Sequence, residues 1–380
     1  MLKIIVDENI VFAEEAFSAF GKVQLFPGRK LNNQILKDAD ILVVRSITKV
    51  DEELLKNTRI KFVGTATTGN DHVDQEYLKK KNIFFADAKG CNADSVGEYV
   101  ITALMKIASE KNITLKNKTF SVIGVGNIGS RVVKFAETLG MHILKNDPPL
   151  ERAKKGNDFV SLDDALQADI ISFHVPLTID GRDKTYHLLN SQNLKRLKDN
   201  SILINTSRGE VIDNKALQEI TYSKKMKLIL DVWENEPEIN KELLKNSEIG
   251  TAHIAGYSYE GKLNGTRMIF NALCKFLGEE KNWNPILPSI ETPVQRLTTM
   301  ESIDNNLYHL FKSIYNIDDD DSGLRKILKM DSINSANHFD KLRKEYKVRR
   351  EFSNYTVLLT QQEAELKRMF ENFRFEVKLI

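Results

Sequence analysis

From Leu2 to about residue 280, short apolar runs alternate with stretches whose apolar positions recur every three or four residues. That alternation predicts strand–helix–strand units and parallel sheets. In the first block the runs predict strands at 2–6, 22–26, 40–44, 60–64 and 82–86. They are apolar almost without interruption, as strands covered on both faces must be. A longer helix is predicted over 94–109, where Val96, Val100, Leu104 and Ile107 follow a helical period. It is expected to bridge two domains. A second block predicts strands at 119–125, 141–146, 169–175, 201–206 and 227–232, with a short one near 248–254. A further helix runs through NGTRMIFNALCKFLG to Gly278, a residue suited to end it, and there the chain is expected to return to the first block.

The stretch 282–296 has three prolines and no helical period, so it reads as a linker. Beyond it, helical patterns near 300–315 and 361–373 and strands near 355–359 and 373–380 predict a small third unit. The fold class expected is therefore α/β: two doubly wound parallel-sheet (Rossmann-like) domains with a cleft between them, plus a small C-terminal α+β dimerisation domain. The boundaries drawn are 1–93 with 257–283 for substrate binding, 94–256 for the nucleotide, and 284–380 for the C-terminal unit. DDDD at 318–321 invites a calcium-loop reading, but its twelfth position is Lys329 where a bidentate glutamate is needed. It reads as a solvated turn, and the basic run KLRKEYKVRR at 341–350 as a charged helix face. No metal site is expected.

Composition narrows the classes. The 380 residues carry a net charge of only +2, which argues against a nucleic-acid binder. Two cysteines, Cys91 and Cys274, cannot build a disulfide framework and fit a reducing cytoplasm. No apolar run approaches the ~18 residues of a membrane helix.

Four polar signatures then follow one another: GVGNIG at 124–129, SRG at 207–209, DVWENEP at 231–237 and AHIAG at 252–256. The first follows a predicted strand and opens a predicted helix, the setting in which a glycine-rich turn cradles a pyrophosphate. Gly124 permits the turn, Gly126 lets the phosphates approach, and Gly129 lets helix and strand pack, with Asn127 and Ile128 between them. The helix N-terminus adds unpaired N–H groups and a partial positive charge. Asp147, at the end of the next strand, can accept hydrogen bonds from ribose hydroxyls and repel a 2′-phosphate, which argues for NAD as cofactor over NADP.

Arg208 stands just after a predicted strand, where its planar fork can hold a carboxylate. Of seven histidines, His253 sits at a strand end among small residues and can exchange a hydroxyl proton near neutral pH. Glu236, seventeen residues upstream, can hold its far ring nitrogen. His174, followed by Val175 and Pro176, is expected to line the cofactor pocket. Asp231 can accept a hydrogen bond from a nicotinamide carboxamide. Together these groups suit hydride transfer to or from a 2-hydroxy acid.

The residues now carry a resemblance. The chain resembles the D-isomer-specific 2-hydroxyacid dehydrogenases, in which an arginine, a glutamate before proline and a histidine form the catalytic set. Narrower wording, namely VDEN (6–9), VRSITKV (44–50), FVGTATTGNDHVD (62–74), GCNADSVGEYV (90–100), NDPP (146–149), HIAGYSYEGK (253–262) and FDKLRKEYKVRREF (339–352), is similar to one branch of that family. The resemblance implies NAD-dependent oxidation of 4-phospho-D-erythronate to 2-oxo-3-hydroxy-4-phosphobutanoate, a step of pyridoxal phosphate synthesis, by a cytoplasmic homodimer built partly through the C-terminal unit. It places Arg208, Glu236 and His253 as catalytic residues, and Ser46, Thr67 and Tyr257 at the substrate. Asp147, Val175, Thr206, Ser207, Arg208, Asp231 and Gly256 fall at the cofactor beside the glycine-rich loop. Thr206-Ser207 stand where smaller residues are expected, and Val175 where a threonine is frequent. Arg45 with Ser46 can hold the substrate phosphate, or Arg45 can form an interdomain salt bridge. Two other readings stay open: a dehydrogenase for another small acid such as 3-phosphoglycerate, and an NAD-sensing binding protein.

Overall fold

The structure is a computed structural model that describes residues 1–154, 158–297 and 303–380. The chain packs into two compact units, Met1–Asn92 with Ser258–Ser289, and Ala93–Tyr257 with Ile290–Ile380.

In the first unit, β1 (Leu2–Asp7), β2 (Gly21–Phe26), β3 (Ile41–Val44), β4 (Phe62–Thr65) and β5 (Phe84–Asp87) form a parallel sheet. Its order is β2-β1-β3-β4-β5, a doubly wound layout. β3 and β4 are buried at every position, which is why they read as unbroken apolar runs. The helix Tyr259–Leu277 begins at Ser258, whose side chain accepts from Gly261 N–H, and ends at Gly278 with φ 67°. It lays Ile269, Phe270 and Leu273 against Phe62, so the chain does rejoin the first sheet.

In the second unit, β6 (Thr119–Ile123), β7 (His142–Asn146), β8 (Ile170–Phe173), β9 (Ile202–Asn205), β10 (Lys227–Leu230) and β11 (Ile249–Gly250) make a six-stranded sheet of order β11-β10-β9-β8-β6-β7. Every pairing is parallel, so all six C-terminal ends lie along one edge. The chain reverses direction across the sheet between β6 and β8, the switch point at which such sheets bind ligands.

The helix Ala93–Glu110 is buried on nearly all sides, and its Val96, Tyr99 and Leu104 share one apolar cluster with Phe311, Phe352, Phe370, Phe373 and Phe375. The C-terminal residues thus pack onto that helix, alongside a small parallel sheet of β12 (Val294–Arg296), β13 (Thr356–Leu359) and β14 (Glu376–Leu379). β12 forms within the stretch expected to be linker. The helical pattern near 300–315 appears as Ile303–Ile314, with residues 298–302 outside the described part.

Two expectations about charge fail here. The aspartate run is no solvated turn: it opens the helix Ile317–Arg325, where carboxylates complement the helix dipole. Asp320 accepts from the Tyr315 and Tyr346 hydroxyls, both at 2.8 Å. Nor is KLRKEYKVRR one exposed helix face, because the helix Ser332–Lys344 ends inside it and Arg349 and Arg350 are buried. Among the described residues no helix is long and apolar enough to cross a membrane.

Candidate active site

The glycine-rich turn joins β6 to the helix Asn127–Thr138. Gly124 has φ +88°, and a Cβ there would lie 2.7 Å from the His174 carbonyl oxygen. A Cβ on Gly129 would lie 2.0 Å from the Gly124 carbonyl oxygen, so helix and strand meet only because it is glycine. A Cβ on Gly126 would meet nothing within 4 Å. The space over Gly126, at the exposed mouth of the helix with Asn127 exposed and Ile128 half-buried beside it, is the cradle a pyrophosphate needs. Asp147 stands one residue past β7, its carboxylate held by Val125 N–H at 2.8 Å and Leu150 N–H at 3.0 Å. Val125 lies inside the glycine turn, so the carboxylate is tied directly to the cradle. The donors and the space fit a dinucleotide.

The loop after β8 carries His174 and Val175. His174 is 9% exposed; its Nε2 lies 2.8 Å from Ser172 Oγ and its Nδ1 3.2 Å from Thr206 Oγ1. Burial pushes its pKa down to about 3, so it is neutral near pH 7. Val175 is half-buried, its methyl packed over Gly124. Thr206 and Ser207, after β9, are buried and occupied: the first on His174, the second donating its hydroxyl to Asn205 Oδ1 at 2.8 Å. Arg208 is half-buried, its backbone oxygen bound by Asn205 Nδ2 at 2.9 Å. A Cβ on Gly209 would overlap the Trp233 carbonyl carbon at 1.9 Å, which explains the glycine after Arg208.

Past β10 and β11 the structure brings the predicted carboxylate and imidazole together. Glu236 Oε2 lies 2.8 Å from His253 Nδ1. Glu236 Oε1 accepts Trp233 N–H at 3.0 Å, which fixes the carboxylate's orientation. Burial would raise the Glu236 carboxyl, but the His253 ring, Arg343 and the Trp233 N–H outweigh it and hold it below the usual carboxylate range. His253 adopts φ 54°, a left-handed conformation costing a side chain of order 1 kcal/mol. Its N–H donates to the Asp231 carbonyl at 2.7 Å. The Asp231 carboxylate, 1% exposed, accepts the Thr251 hydroxyl at 2.6 Å and the N–H groups of Ile254 and Ala255 at 2.7 and 2.9 Å. Asp231 therefore holds the loop that presents His253, Gly256 and Tyr257, with about one of its ~four acceptor positions left for a ligand.

In the first unit, Arg45 and Ser46 follow β3 and Thr67 follows β4, all half-buried. Arg45 donates from Nε to Asp7 Oδ1 at 3.0 Å, an ion pair inside that unit rather than between domains. Thr67 Oγ1 lies 3.1 Å from Thr65 Oγ1, which in turn meets His72 Nε2 at 3.0 Å.

Sequence reasoning missed several neighbours. Glu210 is raised by burial and by the charges of Glu236 and Glu234, with Arg208 opposing. His187, with φ 49°, reaches Glu234 Oε1 through Nε2 at 2.6 Å, and together with Asp213 these place potential ligand atoms within 4.8 Å of one another. Arg349 donates to Ala255 O at 2.5 Å and to Ser95 Oγ, bracing the His253 loop from the C-terminal segment. In the sequence it is one of two adjacent arginines closing the run KLRKEYKVRR, a signal with no period.

Such a sheet and loop set is that of the D-isomer-specific 2-hydroxyacid dehydrogenases, and residues 101–255 match that family's NAD binding domain. Residues 286–371 match a family described as a domain of unknown function. Among solved structures, a D-lactate dehydrogenase from Aquifex aeolicus complexed with NAD and lactic acid is similar (TM-score 0.61, 28% identity, 73% of this chain and 95% of that one). So is an NAD-bound 3-phosphoglycerate dehydrogenase from Entamoeba histolytica (TM-score 0.62, 27% identity, 73% and 95%). Along nearly its whole length the chain is 44% identical to the erythronate-4-phosphate dehydrogenase of Photorhabdus laumondii, over 370 residues and 96% of each protein. It is 46% identical to that of Escherichia fergusonii, over 364 residues and 94% of each. The chain belongs to the erythronate-4-phosphate dehydrogenase family.

Proposed function

We propose that this protein oxidises 4-phospho-D-erythronate to 2-oxo-3-hydroxy-4-phosphobutanoate, a step toward pyridoxal phosphate, in the cytoplasm. The observation that carries the chemistry is the 2.8 Å contact between His253 Nδ1 and Glu236 Oε2. It commits one ring nitrogen and leaves Nε2 to take the C2 hydroxyl proton. Glu236, held as a carboxylate, offsets the charge that the ring gains. Arg208 clamps the substrate carboxylate and orients C2. Gly124, Gly126 and Gly129, with Asn127 and Ile128, would hold the pyrophosphate of NAD and Asp147 its ribose. Val175, Thr206, Ser207, Asp231 and Gly256 would line the nicotinamide side. Bound NAD supplies the hydride acceptor. Ser46, Thr67 and Tyr257 would contact the substrate.

Assays with NAD and either 4-phospho-D-erythronate or 3-phosphoglycerate test the reading. Turnover is expected with the first, and His253→Ala should lower kcat about 10²–10⁴-fold, the usual span for a lost general acid or base. Turnover of phosphoglycerate alone would overturn the substrate assignment, and full activity in His253→Ala would overturn the mechanism.

The protein is further proposed to act as a homodimer through its C-terminal sheet, where Val294 on edge strand β12, Leu379 on edge strand β14 and Ile380 just past it leave apolar surface exposed. Sedimentation at micromolar concentration checks this, and a monomer would refute it.

A further inference from the structure

Residues 286–371 match a family of unknown function, yet one of their arginines packs against Tyr257, in the loop that presents His253. Arg343 sits in the last turn of the helix Ser332–Lys344. Its guanidinium carbon is 5.8 Å from the centre of the Tyr257 ring, and Tyr346 packs edge-on against that ring at 5.7 Å. Its charge reaches Glu236, whose carboxyl it helps hold down. Arg343 Nε is buried and has no hydrogen-bond partner among the described residues. A buried guanidinium N–H without an acceptor is costly, and a doubly charged oxyanion is the ligand its planar fork fits best.

We propose that Arg343 is a substrate-binding residue that holds the phosphate of the 2-hydroxy acid beside Tyr257. The inference rests on the function proposed above and deepens it by naming what selects the phosphorylated acid. Phosphorus is four bonds from C2, so a substrate with its hydroxyl at His253 carries its phosphate only a short reach away. Without a cation there, Glu236 would repel the phosphate. Arg45, the other candidate for this task, already has the Asp7 carboxylate as its counter-ion. The C-terminal segment thereby acquires a chemical role in specificity.

The test compares wild type with Arg343→Gln and Arg343→Lys, using the full chain and both 4-phospho-D-erythronate and D-erythronate. The ratio of kcat/KM for the phosphorylated over the unphosphorylated acid should fall roughly 10- to 100-fold in Arg343→Gln, the range of charge-assisted hydrogen bonds. Arg343→Lys, which keeps the charge but not the fork, should recover part of it. An unchanged ratio would overturn the proposal, and equal losses on both acids would make Arg343 a positioning residue for Glu236. NADH binding, followed by its fluorescence, confirms that each variant is folded. If wild type turns over neither acid, the function reading fails by itself. Inorganic phosphate binding to the NADH complex then decides: weaker binding in Arg343→Gln supports the phosphate site, and equal binding overturns it.

Discussion

Replacing His174 by asparagine separates the roles of the two histidines that follow β8 and β11. His174 is enclosed between Ser172 and Thr206, and burial lowers its pKa from an ordinary 6.5 to about 3. Below pH 6.5 the unfolded chain takes up a proton that the folded protein refuses. Stability from this group is thus complete above pH 6.5 and is lost progressively as pH falls toward 3. At pH 5 the unfolded state is favoured by 1.5 decades of proton binding, or about 2 kcal/mol. Asparagine has no proton to gain, although one hydroxyl left unpaired costs about 1–3 kcal/mol at every pH. Urea unfolding, followed by tryptophan fluorescence, to which the buried Trp233 contributes, measures both. Wild type should lose about 2 kcal/mol more than His174→Asn between pH 7.5 and pH 5. Parallel losses would refute the claim that burial keeps this ring neutral. Turnover at pH 7.5 should persist in His174→Asn and collapse in His253→Ala; the reverse pattern would move the proton transfer to His174.

Three further outcomes follow from close packing and hydrogen bonding. Gly129→Ala must displace the Gly124 carbonyl, so a stability loss of about 1–3 kcal/mol is expected in urea unfolding, together with weaker NADH binding. Gly126→Ala, with open space around its Cβ, should leave the urea midpoint nearly unchanged while weakening NADH fluorescence titrations, because its methyl enters the cradle. Arg349→Leu removes the charged donor to Ala255 O and should cost about 1.5–3 kcal/mol, with a parallel loss of turnover as the His253 loop loses its brace. Activity unaffected by Arg349→Leu would refute that role.

Much of the fold was legible because a parallel strand is short, apolar on both faces and bounded by polar turns, so β3, β4 and β9 announce themselves locally. The glycine-rich turn was legible for a related reason: a tight turn at Gly124 and a close approach at Gly129 depend on residues a few positions apart. His253 was nameable as a strand-end residue and Glu236 as the carboxylate upstream that could hold its ring, and the parallel order of β10 and β11 gives that reading its geometry.

What the chain's local pattern left open was how the charges of the C-terminal segment meet the rest of the chain. The aspartates at 318–321 and the arginines at 343 and 349 are polar in sequence. Whether they meet water, a tyrosine hydroxyl or a backbone carbonyl depends on which helix ends pack against which loop. Linear sequence determined the sheets, the cofactor turn and the chemical type of each candidate. Tertiary structure alone decided that Asp231 holds a loop, that His174 stays neutral and that Arg349 braces the His253 loop, because desolvation and hydrogen-bond partners exist only once distant segments exclude water together.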